Sequence, residues 1–266
     1  MNINGTNIVL TGASSGIGKE LLERLREFDC TIVATSRSIE EATGKTDAGR
    51  TKVEKGDAAP PDGKNVYYKN FDLSKKGEID ELFDYALEKM GSIDLFIANA
   101  GFMYYEKIYP ADYDHIQEIF RLNTTGVMYS AVKMKEVCKE RPYNFVAVSS
   151  ALGFISYPGY ALYCSTKAAL RGFGQGYRYE LSPDQHYQSV YPIAVKTGFF
   201  DKAHCDDPPK PQQSTEHVAK TIIRGIEKNK AEIHTSKSFW FFKTFMPYML
   251  NLVIWLEKKK FDKKFS

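Results

Sequence analysis

Three tyrosines in this chain stand four residues ahead of a lysine: Tyr85 and Lys89, Tyr129 and Lys133, Tyr163 and Lys167. On a helix that spacing sets a phenol and an ammonium one turn apart on the same face. Such a pair can move a proton to or from an oxygen, with the phenol as acid or base. A tyrosine of reference pKa about 10 must fall by roughly 3 units to act as a base near neutrality, a change worth about 4 kcal/mol. An ammonium at about 4 Å, in an effective dielectric near 20, supplies an interaction of that size. Spacing alone does not choose among the three pairs.

A second stretch with chemical meaning is Thr11-Gly12-Ala13-Ser14-Ser15-Gly16-Ile17-Gly18, whose glycines are spaced GxxxGxG. A glycine loop that follows a strand and opens a helix offers free backbone N–H groups and a positive dipole end to a pyrophosphate. Gly12 would permit the tight turn, Gly16 the approach of phosphate, and Gly18 the packing of helix on strand. The five histidines show no metal-ligand spacing, and Cys30, Cys138, Cys164 and Cys205 form no CxxC pair. Neither a metal site nor a disulfide framework is expected, and a reducing compartment suits the free thiols.

These residues must be held by elements that the apolar pattern predicts. Strand-like runs recur at Asn7 to Leu10, Thr31 to Thr35, Val66 to Asn70, Ile93 to Ala98, Asn144 to Ser149, Gln188 to Val195 and Ala231 to His234. Between them Ile17, Leu21, Leu25 and Phe28 repeat at helical spacing, as do Ile79, Leu82, Phe83, Ala86 and Met90, and later Val218, Ile222 and Ile226. The alternation predicts an α/β fold: a doubly wound parallel sheet of about seven strands covered on both faces. Ser74 and Ser214 stand where helix N-caps are wanted, and Gly91 at a C-terminal position. The polar, glycine- and proline-rich stretch from Ile39 to Lys64 reads as a long surface connection. At 266 residues, with 43% apolar and 26% charged residues and a net charge of +3, the chain is long enough for one α/β domain. Its charge is too small for a nucleic-acid partner.

TGASSGIG resembles the opening motif of the short-chain dehydrogenase/reductase family, and later motifs match in order from about Asn7 to His234. The resemblance implies a Rossmann-type fold and a nicotinamide cofactor held by Gly12, Ser14, Ser15, Gly16, Ile17 and Gly18. Asp72-Leu73 resembles the pair that touches the adenine, and Asn99-Ala100-Gly101 the motif closing the fourth strand. In the family a Ser thirteen residues before the Tyr holds the substrate oxygen; that position is Asp72, Ile116 and Ser150 for the three pairs, so only Tyr163 and Lys167 qualify. Ser150, Tyr163 and Lys167 are then catalytic and the last two also meet the cofactor, while Asn123 resembles the residue that orders a water beside the Lys. Pro192-Ile193-Ala194-Val195-Lys196-Thr197 resembles the segment contacting the nicotinamide carboxamide, with Pro192, Val195 and Thr197 matching and Ile193 in place of the usual Gly. Thr166 stands where Ser is commoner.

The second strand ends Thr35-Ser36-Arg37-Ser38 without a carboxylate, and a guanidinium there suits a 2′-phosphate, so NADP(H) is expected. The expected function is hydride transfer between NADPH and the carbonyl of an apolar ketone or aldehyde, or the reverse alcohol oxidation. A nucleotide-sugar epimerase and a catalytically idle NADP-binding sensor are the alternatives. Phe102, Met103, Tyr104, Tyr105, Phe154, Tyr157, Phe199 and Phe200 point to a bulky apolar substrate, of steroid, fatty-acyl or sphingoid kind.

Residues 1–236 read as the NADP-binding catalytic domain and 237–266 as a hydrophobic, then basic, tail. The run Phe239 to Leu256 is interrupted by Lys243, Pro247 and Asn251 and is too polar to span a bilayer. If Pro247 is the first helical residue, Lys243 lies outside the helix, and Met249, Leu250, Leu252, Val253 and Leu256 share one broad face. Tyr248, Asn251 and Trp255 then fall on the other side. Residues 236–266 hold seven Lys and two acids, net +5, which is the pattern of an in-plane anchor on anionic lipid. A subunit contact in a homo-oligomer, or a lid on the active-site mouth, is the competing expectation. No secretory leader is expected, because the first apolar run, Ile8 to Leu10, stops at Thr11-Gly12. The expected location is the cytoplasm, with membrane association at its cytosolic face.

Overall fold

The computed structural model describes residues 1–38 and 66–265; the connection read at Ile39 to Lys64 lies outside them. Among the described residues seven strands form one parallel sheet in the order β3-β2-β1-β4-β5-β6-β7. They are β1 (Asn7–Thr11), β2 (Thr31–Ser36), β3 (Val66–Asn70), β4 (Leu95–Ala98), β5 (Tyr143–Val148), β6 (Gln185–Tyr191) and β7 (Glu232–His234). All seven coincide with predicted runs, the largest shift being β6, which starts three residues earlier and stops at Tyr191. The order reverses between β1 and β4, and at such a switch point a parallel sheet opens a crevice at its carboxyl edge.

Residues alternate between two cores because strand side chains alternate between sheet faces. Ile8 and Leu10 of β1 face a core with Leu21, Leu22 and Leu25 of α1 (Gly16–Leu25). Ile222 and Ile226 of a later helix complete that side. Val9 faces the opposite core, with Ile79, Leu82 and Phe83 of α2 (Lys76–Met90), Met134 of α4 (Gly126–Cys138) and Leu170 of α5 (Ala161–Tyr177). Stacked rings of Phe83, Phe96, Phe145 and Tyr187, 5.1 to 5.6 Å apart, run across that face and fix the sheet beneath α5.

Between α2 and α4 lies α3 (Tyr113–Phe120), which passes without a break into a π-helical turn, Arg121–Thr125. After α5 come the short α6 (Phe199–Lys202) and α7 (Thr215–Glu227), which carries Ile222 and Ile226. The cap expectations split. Ser214 accepts from the His217 N–H at 3.2 Å, and Gly91 closes α2 in the left-handed conformation, φ +73. Ser74 does not cap α2, because its hydroxyl donates to Asp72 at 2.7 Å, and Lys75 takes the cap position with no side-chain bond to the first-turn N–H groups.

The tail departs from expectation. One helix, α8, runs from Phe239 to Phe265, so Pro247 lies inside it and Lys243 belongs to it. An interior proline costs ~3 kcal/mol or more, and long-range contacts on both sides of it hold the helix. Phe239 stacks on His234 at 5.0 Å and meets Phe154 edge-on at 5.2 Å, while Lys243 reaches Glu232 at 3.5 Å. At the far end Lys260 pairs with Asp207 at 3.5 Å, Lys264 with Asp206 at 2.7 Å, and Phe265 packs 5.8 Å from Tyr105. Among the described residues no helix is long and apolar enough to cross a membrane.

Candidate active site

Gly12 and Gly16 hold left-handed backbone at φ +67 and +56, which lets the chain turn sharply from β1 into α1. A Cβ on Gly18 would stand 2.0 Å from the Gly12 carbonyl oxygen and 2.5 Å from Asn99 Nδ2, so only glycine lets α1 close on the strand end. Asn99 ties the loop down from β4: its Nδ2 donates to the carbonyls of Thr11 and Gly12 at 3.1 and 3.2 Å. The Thr11 hydroxyl accepts from the Asn99 and Ala100 N–H groups at 2.9 and 3.0 Å.

The carboxyl edge of β5 carries the next group. Ser150, extended at the cap of a short 3-10 turn (Ala151–Gly153), accepts from the Leu152 N–H at 3.1 Å, which orients its hydroxyl. Beside it Lys167 Nζ donates to the Val148 carbonyl at 2.9 Å and lies 5.7 Å from the Tyr163 ring centroid. Ser149 Oγ donates to the Lys167 carbonyl at 3.1 Å, locking α5 against the strand end. Burial pushes the Tyr163 phenol above the ordinary tyrosine range, opposed by the Ser150 hydroxyl. Burial also draws the Lys167 ammonium down to about 8. The expectation of a lowered Tyr163 is thus reversed. The reason is that desolvation of the buried phenol is the largest influence, with the Ser150 hydroxyl opposing it and Cys164 adding to it.

A cavity of about 1190 Å³ joins these groups. Its walls include Gly12, Ser14, Ser15, Gly16, Ile17, Arg37, Leu73, Asn99, Ala100, Gly101, Ser150, Tyr163, Lys167, Pro192, Val195 and Thr197. Three residues expected there do not line it. Gly18 sits behind the loop. Asp72 turns away to accept from the N–H and hydroxyl of Ser74 at 3.1 and 2.7 Å. Asn123, fully buried in the π-helical turn, clamps the Phe102 backbone from both sides, accepting at 3.0 Å and donating at 2.7 Å, and also donates to Thr166 Oγ1 at 3.3 Å. Its side chain shapes the loop after β4, and its Oδ1 and Lys167 Nζ both stand beside Gly101, 3.0 and 3.7 Å from where a Cβ would lie there.

The other two Tyr/Lys pairs are engaged elsewhere. Tyr129 donates to Asp80 at 2.7 Å and Lys133 pairs with the same carboxylate at 3.3 Å, while Lys89 lies over the Tyr85 ring at 5.5 Å. None of the four lines the cavity.

Of the aromatic set, Phe102, Tyr104, Phe154, Tyr157, Phe199 and Phe200, with Met103, form the apolar part of the wall; Tyr105 instead packs on Tyr160 at 4.8 Å. Arg171 and Lys243 are among the further wall residues that were not expected. Arg171 lies 4.7 Å from the Phe154 ring and continues the helical row of Tyr163 and Lys167 by one more turn, so its spacing carries the signal. Lys243, 5.1 Å from the same ring, joins the wall only because α8 begins at Phe239.

A dinucleotide fits these residues. The side chain of Ser15, at the α1 cap, bonds none of the first-turn N–H groups, which leaves them for an anion, and a Cβ on Gly16 would meet the Thr197 methyl at 3.2 Å. A doubly wound sheet with this loop at its switch point defines a nucleotide-binding α/β protein. The sequence model of the short chain dehydrogenase family matches residues 6–207, and the chain belongs to that family of oxidoreductases. It is similar to a 3-ketodihydrosphingosine reductase of Dictyostelium discoideum, 28% identical over 249 residues, covering 87% of this chain and 75% of that protein. In fold it is similar to a short chain dehydrogenase/reductase from Burkholderia phymatum crystallised with NAD (TM-score 0.80, 18% identity, 95% and 96% of the two chains). It also resembles one from Burkholderia cenocepacia J2315 crystallised with NADP (TM-score 0.76, 21% identity, 96% and 99%).

Proposed function

We propose that this chain reduces the carbonyl of an apolar ketone or aldehyde with NADPH, or oxidises the corresponding alcohol in reverse. The observation that carries the reading is that Ser150, Tyr163 and Lys167 meet in one cavity that runs from the glycine loop to an aromatic wall. Gly12, Ser14, Ser15, Gly16 and Ile17 would hold the pyrophosphate, and Pro192, Val195 and Thr197 the nicotinamide end. When bound, the cofactor supplies the hydride. Tyr163, kept protonated at neutral pH by burial, donates its proton to the carbonyl oxygen, and Ser150 hydrogen-bonds that oxygen as charge develops on it. Lys167 places positive charge beside the phenol and stabilises the phenolate left behind. One proton taken up from solvent restores Tyr163 and completes the cycle.

Arg37 supports NADPH over NADH. It is exposed on the cavity wall between Ser36 and Ser38, and among the described residues of this turn no carboxylate stands to repel a 2′-phosphate. Solved neighbours of this fold carry either cofactor, so the preference rests on that residue. The apolar wall supports a long or bulky substrate, and the similarity to a 3-ketodihydrosphingosine reductase puts that ketone first on an assay panel. The test is titration of the purified protein with NADPH and NADH, then NADPH oxidation against sphingoid, steroid and fatty-acyl ketones. Turnover of at least one apolar ketone is expected. Cofactor binding with no turnover on the whole panel would instead support an idle sensor.

A further inference from the structure

We propose that α8 is an interfacial strap: its inward face closes the substrate cavity, and its outward face docks on a membrane surface that carries anionic lipid. The docking is independent of the carbonyl chemistry.

At about 100° per residue the helix has two faces. Lys243, Glu257, Phe261, Lys264 and Phe265 point towards the body of the protein. Among them Lys243 and Phe265 contact Phe154 and Tyr105, and Lys264 pairs with Asp206. Leu252 and Leu256 lie within about 40° of one another on the opposite side. They are 53% and 48% exposed, and Trp255, at the margin of the same stripe, is 51% exposed. Three large apolar side chains clustered in water on one helix call for a partner.

Charge indicates which partner. The stripe continues along the helix into exposed Lys259 and Lys263, and Lys259 Nζ stands 3.6 Å over the Trp255 ring. Lys260 and Lys264 are tied inward to Asp207 and Asp206, which leaves Lys259 and Lys263 on the outer side. A second copy of the chain would bring a tail of net +5 against another of the same sign, whereas anionic headgroups are complementary to it. An aromatic residue at the boundary between an apolar row and lysines is the arrangement of a helix lying in the plane of a bilayer surface. With Phe239 and Lys243 in the cavity wall, docking would place the substrate mouth beside the lipid phase, where an apolar ketone concentrates.

The experiment uses the full chain with Trp240→Phe, so that Trp255 is the sole indole. It is mixed with vesicles of phosphatidylcholine alone and of phosphatidylcholine with phosphatidylserine. Co-sedimentation with the anionic vesicles, a blue shift of Trp255 emission, and release by added salt are expected. Leu252→Glu/Leu256→Glu should abolish binding with melting temperature and NADPH affinity unchanged. Should that variant misfold, Lys259→Glu/Lys263→Glu changes exposed charges and the contact of Lys259 with Trp255, and co-sedimentation should weaken on the order of tenfold or more. Undiminished binding by a folded variant, or equal binding to neutral vesicles, would overturn the proposal. So would absence of lipid binding by the folded full chain, and a dimer in sedimentation velocity that the Glu variants dissociate would then assign the stripe to a second copy.

Discussion

The ammonium of Lys167 is held 2.9 Å from the carbonyl oxygen of Val148, the last residue of β5. This bond joins the row of polar residues on α5 to the carboxyl edge of the sheet, so the strand sets where the charge sits relative to Tyr163. It also keeps a buried cation paired with a dipole, which limits the penalty of burial.

Tyr163→Phe removes the proton donor and leaves the ring in place. Turnover should fall by roughly 10² to 10⁴, with NADPH affinity within a factor of a few of the unmutated protein. Steady-state rates on any active ketone, paired with a fluorescence titration of NADPH, measure both. Full activity in the variant would remove Tyr163 from the mechanism.

Lys167 makes stability depend on pH. Its folded pKa is drawn down to about 8 from an ordinary 10.5, so between those values the unfolded chain holds more protons. The contribution of Lys167 to stability without added cofactor should therefore rise as pH increases from about 8 to about 10, by up to roughly 3 kcal/mol, while the thiols of Cys30 and Cys138, pushed up by burial to about 11, oppose it above about 9. Above about 10 the raised Tyr163 pulls the other way, because the folded state then holds the extra proton. The difference in urea stability between the natural protein and Lys167→Met should show this rise across the range, and a difference that does not change with pH would contradict it.

Cofactor choice rests on Arg37. NADPH should be used better than NADH, and Arg37→Ala should narrow the gap by about 1.5 to 3 kcal/mol, the worth of a charged hydrogen bond. Comparing kcat/KM for both cofactors in both proteins decides it, and equal use of the two by the natural protein would contradict the assignment.

Gly18→Ala tests the loop directly. A methyl group 2.0 Å from the Gly12 carbonyl forces α1 off the strand end, at an overpacking cost of about 1 to 3 kcal/mol. The melting temperature and NADPH affinity should both drop. An alanine variant that binds NADPH normally would mean the loop has room that its geometry denies.

Asn123→Ala leaves the Phe102 N–H and carbonyl without their side-chain partner, at about 1 to 3 kcal/mol of stability. Because Asn123 positions a loop here, loss of stability should accompany loss of activity. A fall in rate with unchanged unfolding would instead point to a direct role beside Lys167.

Features that depend on near neighbours in the chain are legible in the amino-acid sequence alone. Apolar runs determined the seven strands and period-3.6 apolar patterns the helices α1, α2 and α7, and the glycine spacing determined the turn from β1 to α1. Ser214 and Gly91 are readable as caps for the same reason, whereas Ser74 is not, since its hydroxyl finds the Asp72 carboxylate first. Choosing among three Tyr/Lys pairs needs a resemblance, because spacing is identical in all of them. The tertiary structure supplies the physical distinction, with Asp80 binding Tyr129 and Lys133 away from the cavity and Val148 holding Lys167 within it. Only the tertiary structure decided the raised Tyr163, since burial is a property of the packed molecule. It also decided the tail. Read locally, Pro247 begins a helix, but contacts of Phe239 with His234 and of Lys264 with Asp206 carry one helix through it. The first of those partners is close in sequence and the second is 58 residues away, and no local periodicity records a partner at that distance.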